Sequence, residues 1–199
     1  MATAHLRRYS DEVSRVIQLA CDNYATNYQA AARLLARTYR ASAPVFVFGN
    51  GGSAAVANHF VCDHVKGITK RLMVLSRPFS QKVKSLCSDI ELITAIANDI
   101  SYDKIFSEQL YYDRGIPELG VAIAMSVSGS SRNIIEGLLS AREIGHETIA
   151  LVGKDGGVVK QDGLSDYVIH FESDNYGVVE DCFSIVMHSL AQCYVEEGV

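Results

Sequence analysis

The stretch from Ala54 to Lys66 carries His59, Cys62, Asp63 and Lys66 at separations of three, four and seven residues from the histidine. On a helix these positions share one face. A histidine and a carboxylate four residues apart can pass a proton between them or hold a metal ion together. A solvated helix face with a chance histidine shows the same spacing. Near the other end of the chain, His188 lies in a helical stretch off the apolar stripe of Phe183, Val186, Met187, Leu190 and Tyr194. At about 100° per residue, Asp181 is ~20° from His188 in azimuth and Glu180 ~80° away. Both acids lie on the order of 10–12 Å back along a straight helix. Glu180 and His188 therefore meet only around a substrate, across a subunit boundary, or if that helix begins later than the pattern indicates.

Two glycine- and serine-rich loops must present these groups to a ligand. Val45 to Phe48 runs into Gly49-Asn50-Gly51-Gly52-Ser53, and Val121 to Met125 into Ser126-Val127-Ser128-Gly129-Ser130-Ser131; each loop is followed by a helical pattern. Each reads as a buried parallel strand, a tight turn and a helix N-terminus. Such a terminus offers unpaired N–H groups and partial positive charge, and Ser126, Ser128, Ser130 and Ser131 add hydroxyls, so the second loop is a candidate phosphate cradle. Two loops of this kind point to one small phosphorylated ligand between them. The first loop fits neither the G-x-G-x-x-G dinucleotide pattern nor a P-loop ending in Gly-Lys-Ser/Thr. Asn98-Asp99 closes an apolar segment; such residues are common turn formers and also suit polyol hydroxyls. Lys66, Lys70, Arg71 and Arg77 read as a solvated basic cluster.

The first forty residues pattern as a helical pair, with Asp22 or Asn23 capping the second helix. Strands are expected near 45–48, 72–75, 121–125, 147–152 and 167–171. Helices are expected over 53–66, about 80–97, 102–111, 131–144 and 176–196, with Gly145 as a helix cap and Gly153 to Gly157 as a turn-rich loop. This alternation predicts an α/β three-layer αβα sandwich around a five-stranded parallel sheet, with ligands at the carboxyl ends of the strands. The expected organisation is one domain over 1–199: residues 1–42 form the helical pair and 43–199 the core. The pair has no strand of its own to cover, so it is expected to pack against another subunit.

Of 199 residues, 48% are hydrophobic, which excludes a disordered chain. The net charge of -5 argues against nucleic acid or a membrane surface as partner, so a phosphate site must be made locally. Five scattered cysteines without a Cys-x-x-Cys pair, and no leader-like start, give the expectation of a reducing cytoplasm. No apolar run is long enough to span a bilayer.

Gly49-Asn50-Gly51-Gly52-Ser53, His59-Phe60, Asn98-Asp99, Ser126 to Ser131 and Gly153-Lys154-Asp155-Gly156-Gly157 together resemble a sugar isomerase (SIS) domain. The set is most similar to phosphoheptose isomerase, over nearly the whole chain. The resemblance implies a flavodoxin-like SIS fold and a homotetramer with active sites between subunits. It implies interconversion of sedoheptulose 7-phosphate and glycero-manno-heptose 7-phosphate, for lipopolysaccharide or capsule. It further implies phosphate binding by Ser53, Ser126, Ser128 and Ser131, with Asn50, Gly51 and Asp99 near the sugar and Asn98 beside them. His59 and Asp63 stand where the family has a histidine and a glutamate base; Glu180 and His188 stand where it has a glutamine and a catalytic histidine. Some members hold one zinc ion with these four side chains.

Three departures mark a divergent member, with a different sugar phosphate as an alternative substrate. Asp63 is one methylene shorter than the family's base, and a misplacement of about 1 Å can cost ~100-fold in rate. Glu180 brings a carboxylate where the family has an amide, which leaves open whether Asp63 or Glu180 is the base. Val127 stands where the family often has threonine. Aldose–ketose exchange through an enediolate needs a base, an acid and oxyanion stabilisation; His188, whose type titrates near neutrality, suits the second proton transfer. A related replication-initiation factor that binds the initiator DnaA as a tetramer lacks the acid after the histidine, which favours an enzyme here. SIS-containing transcriptional regulators are a third class, but no helix-turn-helix is apparent in the first forty residues.

Overall fold

The fold was determined as a computed structural model, which describes residues 2–74, 82–113 and 120–196. Strands β1 (Pro44–Gly49), β2 (Lys82–Ser85), β3 (Val121–Ser126), β4 (Glu147–Val152) and β5 (Tyr167–His170) form one parallel sheet in the order β2-β1-β3-β4-β5. In β1 and β3 every residue is buried, as expected of central strands covered on both faces. Alternate side chains go to opposite faces. Val45, Val47, Ile123 and Met125 pack under α1 (Ala2–Arg40), α2 (Gly52–Cys62) and α8 (Tyr176–Glu196). Phe46, Phe48, Ala122 and Ala124 pack under α4 (Ile90–Asp99), α5 (Ser107–Tyr112) and α6 (Arg132–Glu143). The expected αβα architecture is thus present, and the apolar stripe predicted on the last helix is buried at all five positions from Phe183 to Tyr194.

Several elements differ from the sequence expectation. The expected helical pair spans Ala2–Arg40 (α1) as two helical halves that meet at a kink at Tyr24 (φ -121°, ψ 18°), next to the expected caps. One face of its second half packs on its own chain: Ala31, Leu34, Leu35 and Tyr39 are buried in the core. The second strand lies at Lys82–Ser85, not at 72–75. Residues 72–74 belong to α3 (Thr69–Val74), and residue 75 lies outside the described residues. The true β2 is an edge strand with exposed Lys82 and Lys84, a defence against edge pairing that hides it from a search for apolar runs. The fourth helix therefore starts late, at Ile90, where the Asp89 carboxylate accepts the Leu92 N–H at 3.0 Å. The expected helix over 102–111 is a 3₁₀ turn, Tyr102–Lys104, followed by α5. The loop after β4 is followed by a short unpredicted helix, α7 (Gly157–Gln161).

Strand order reverses between β1 and β3, where Gly49 of β1 lies opposite Met125 of β3. Both glycine- and serine-rich loops leave the sheet at this switch point, the place where open parallel sheets bind ligands.

Candidate active site

The two loops close around a small hollow of about 90 Å³ lined by Asn50, Ser53, Ser126, Ser128, Ser131 and Glu180, with Met125, Val127 and Tyr176 completing it. Five of the predicted ligand-binding residues are thereby brought together. Gly51 is the turn that permits it, with φ +57° at the start of α2. Gly129 takes φ +60°, and a side chain there would strike the backbone of Gly156, so the second loop rests directly on the loop after β4. The serine hydroxyls also hold their own loop: Ser126 Oγ accepts the Gly129 N–H at 3.1 Å and Ser128 Oγ the Ser130 N–H at 3.3 Å. Asn98 and Asp99 do not line the hollow. They sit at the exposed end of α4, where Asn98 Nδ2 donates to Asp99 Oδ1 at 2.8 Å.

Two residues in this network escaped the sequence reading. Asn133 is buried and exchanges reciprocal amide hydrogen bonds of 2.9 and 2.8 Å with Asn50. Tyr102 Oη donates to Asn50 Oδ1 at 3.2 Å. They fix the orientation of the Asn50 amide. The signal available in the sequence was only an asparagine soon after a serine loop.

A second hollow, of about 280 Å³, opens between α2 and α8 and contains His59, Asp63 and His188. Asp63 stands between the histidines: Oδ1 is 3.5 Å from His59 Nε2 and Oδ2 is 3.4 Å from His188 Nε2. The two imidazoles meet edge to face at 4.9 Å. One ligand atom from each of the three residues lies within 4.8 Å of the others, and this N, O, N donor set suits a zinc ion with an open fourth position. Glu180 is not in that cluster. Its carboxylate lies against Gly52 at the start of α2, where any side chain would collide with it; the adjacent Ser53 N–H donates to the Asn50 carbonyl at 3.0 Å. Burial raises the Glu180 pKa above the usual carboxylate value, partly offset by the nearby Ser53 backbone N–H. The distance along α8 that separates Glu180 from His188 in the sequence thus separates them in the structure, with Ser184 on the turn between. Cys62 and Lys66, expected on the same face, are exposed and outside the cluster; Arg77 lies outside the described residues.

The backbone around Asp63 is unusual. The α2 helix passes into a π-helical segment, Asp63–Ile68, that begins at the acid itself; π segments mark functional positions in many helices. His64, the next residue, is fully buried. Its Nδ1 is 2.8 Å from the Phe60 carbonyl, which can only accept, so Nδ1 carries the proton and Nε2 accepts the Tyr39 hydroxyl at 2.6 Å. Burial pushes the His64 pKa down to about 4, so the ring is neutral. Thr69 Oγ1 donates to the His64 carbonyl at 2.7 Å, which satisfies an acceptor within the altered turn. The sequence reading passed over His64 because it falls off the His59–Asp63 face.

Among the described residues all five cysteines are free thiols, and no helix is long and apolar enough to cross a membrane. Residues 8–153 match the SIS domain family. The chain is 39% identical over 147 residues to a probable phosphoheptose isomerase of Thermoplasma acidophilum, covering 73% of this chain and 75% of that one. It is 32% identical over 164 residues to a phosphoheptose isomerase of Helicobacter pylori, covering 80% and 78%. The fold superposes on the structure of phosphoheptose isomerase GmhA from Neisseria gonorrhoeae with a TM-score of 0.81 at 26% identity, covering 97% of this chain and 99% of that one.

Proposed function

We propose that this chain, which belongs to the phosphoheptose isomerase family of SIS-domain proteins, interconverts sedoheptulose 7-phosphate and glycero-manno-heptose 7-phosphate. It is an isomerase acting on a sugar phosphate. The observation that carries the reading is the placement of Asp63 between His59 and His188, in a hollow two turns of α8 from the one that the serines line. Ser53, Ser126, Ser128 and Ser131 hold the phosphate by hydroxyls and backbone N–H groups, and Asn50 faces the sugar. The open-chain sugar runs along α2 and α8 toward the cluster. There Asp63 removes the proton from the carbon beside the carbonyl, and His188 passes a proton at the neighbouring oxygen or carbon. Asp63 is favoured over Glu180 as base because the latter is engaged at the cradle end. When bound, a zinc ion held by His59, Asp63 and His188 supplies Lewis-acid polarisation of the carbonyl.

The unit proposed to act is the whole chain as one domain, because β5 and α8 complete the sheet and the site. We place it in the cytoplasm as a homotetramer with sites between subunits, supplying heptose for lipopolysaccharide or capsule. Neither a DnaA-binding role nor a sugar-phosphate sensor accounts for an acid poised between two histidines. The test is incubation of the protein with sedoheptulose 7-phosphate in deuterium oxide. The enediolate route predicts an aldose heptose phosphate carrying deuterium at the carbon next to the aldehyde. Full conversion with no deuterium at that carbon contradicts proton abstraction by an exchanging base.

A further inference from the structure

The cradle that should receive a phosphate already contains an anion. Glu180 reaches from the second turn of α8 to the N-terminus of α2, where its carboxylate lies against Gly52 and beside the Ser53 N–H, which itself donates to the Asn50 carbonyl at 3.0 Å. Its approach depends on Gly52, since a Cβ there would occupy the carboxylate's place. The same carboxylate lines the small hollow with Ser53, Ser126, Ser128 and Ser131. No lysine or arginine is among the described residues lining it; Lys154 is held over the ring of Tyr176, 4.7 Å from its centroid, rather than on Glu180. An arriving phosphate therefore meets a negative charge beside the serines and backbone it needs, in a partly desolvated space where repulsion is stronger than in water.

We propose that Glu180 is a built-in competitor for the phosphate subsite: its carboxylate occupies the α2 N-terminus against Gly52 and must swing out before a phosphate can settle there. The inference rests on the serine cradle being the phosphate site of the proposed isomerase. Glu180 thus acts as a specificity-determining residue. It weakens capture of bare phosphate, so that retention depends on contacts made by the rest of the sugar.

The test is titration calorimetry of inorganic phosphate at pH 8 into the full-length protein, Glu180→Gln and Glu180→Ala. Glutamine keeps the shape and removes the charge. Alanine removes both charge and side-chain donors, so a gain shared by the two variants cannot come from a new amide contact. The expected result is phosphate binding at least about tenfold tighter in both variants, with sulfate moving in the same direction. Equal or weaker phosphate binding in the variants, with sedoheptulose 7-phosphate turnover intact in the unaltered protein, overturns the competitor alone. No phosphate binding by any of the three proteins overturns the cradle and the competitor together.

Discussion

The serine cradle and the acid–histidine cluster occupy two separate hollows along α2 and α8 and are built in opposite ways. The cradle is a product of the sheet. Its loops leave adjacent buried strands at the switch point, its hydroxyls hold their own turns, and its positive character comes from backbone N–H groups. The cluster is a product of two helices. Asp63 and His59 come from α2 and its π-helical extension, His188 from α8, and all three side chains are at least partly exposed. The cradle is therefore fixed by the sheet, while the cluster depends on helix packing for a geometry that one misplaced turn would spoil. The division suits an enzyme that anchors a phosphate at one end and moves a proton at the other.

The sharpest way to separate the two regions is His188→Ala. It should lower kcat by about 10²–10⁴-fold while leaving inorganic phosphate binding unchanged. A comparable loss of phosphate binding would merge the two regions into one. Ser128→Ala should do the reverse, raising KM by about tenfold with kcat within a few-fold, because it removes one hydrogen bond to a charged group that is made throughout the reaction. A kcat effect larger than the KM effect would place Ser128 in the chemistry instead.

Acid should also tell the regions apart. His64, beneath the π segment, is held neutral with a pKa near 4, well below the ordinary histidine value of about 6.5. Between about pH 4 and 6.5 it takes up a proton on unfolding, so stability falls as pH drops through that window. His146 and His170, also shifted down by burial, act in the same direction. Thermal unfolding should show a melting temperature that declines across this window, with hydrogen exchange rising first in residues 63–69. A flat profile would mean that His64 is not buried as a neutral ring.

How far each region could be read from the sequence follows the same division. β1, β3, β4 and β5 are apolar runs, and the loops after β1 and β3 carry glycine at positive φ, so the cradle was legible before any coordinates. β2 was not, because Lys82 and Lys84 face solvent at the sheet edge. Helical periodicity paired His59 with Asp63, but it assumes a regular helix and cannot anticipate a π segment or the buried His64–Tyr39 bond. The partnership of Asp63 with His188 came from resemblance, since nothing local links residues 125 positions apart in the chain. Asn98 and Asp99 were drawn to the site by the same resemblance; they lie at the end of α4 and are not among the residues lining the hollow.

The central claim is that Asp63, one methylene shorter than a glutamate, still serves as the base. The most direct measurement is the rate of aldose formation from sedoheptulose 7-phosphate by the protein and by Asp63→Asn, with and without added zinc. The account predicts turnover by the protein and a loss of at least about 100-fold in Asp63→Asn under both conditions. Undiminished turnover in Asp63→Asn would move the base elsewhere, with Glu180 the first residue to test.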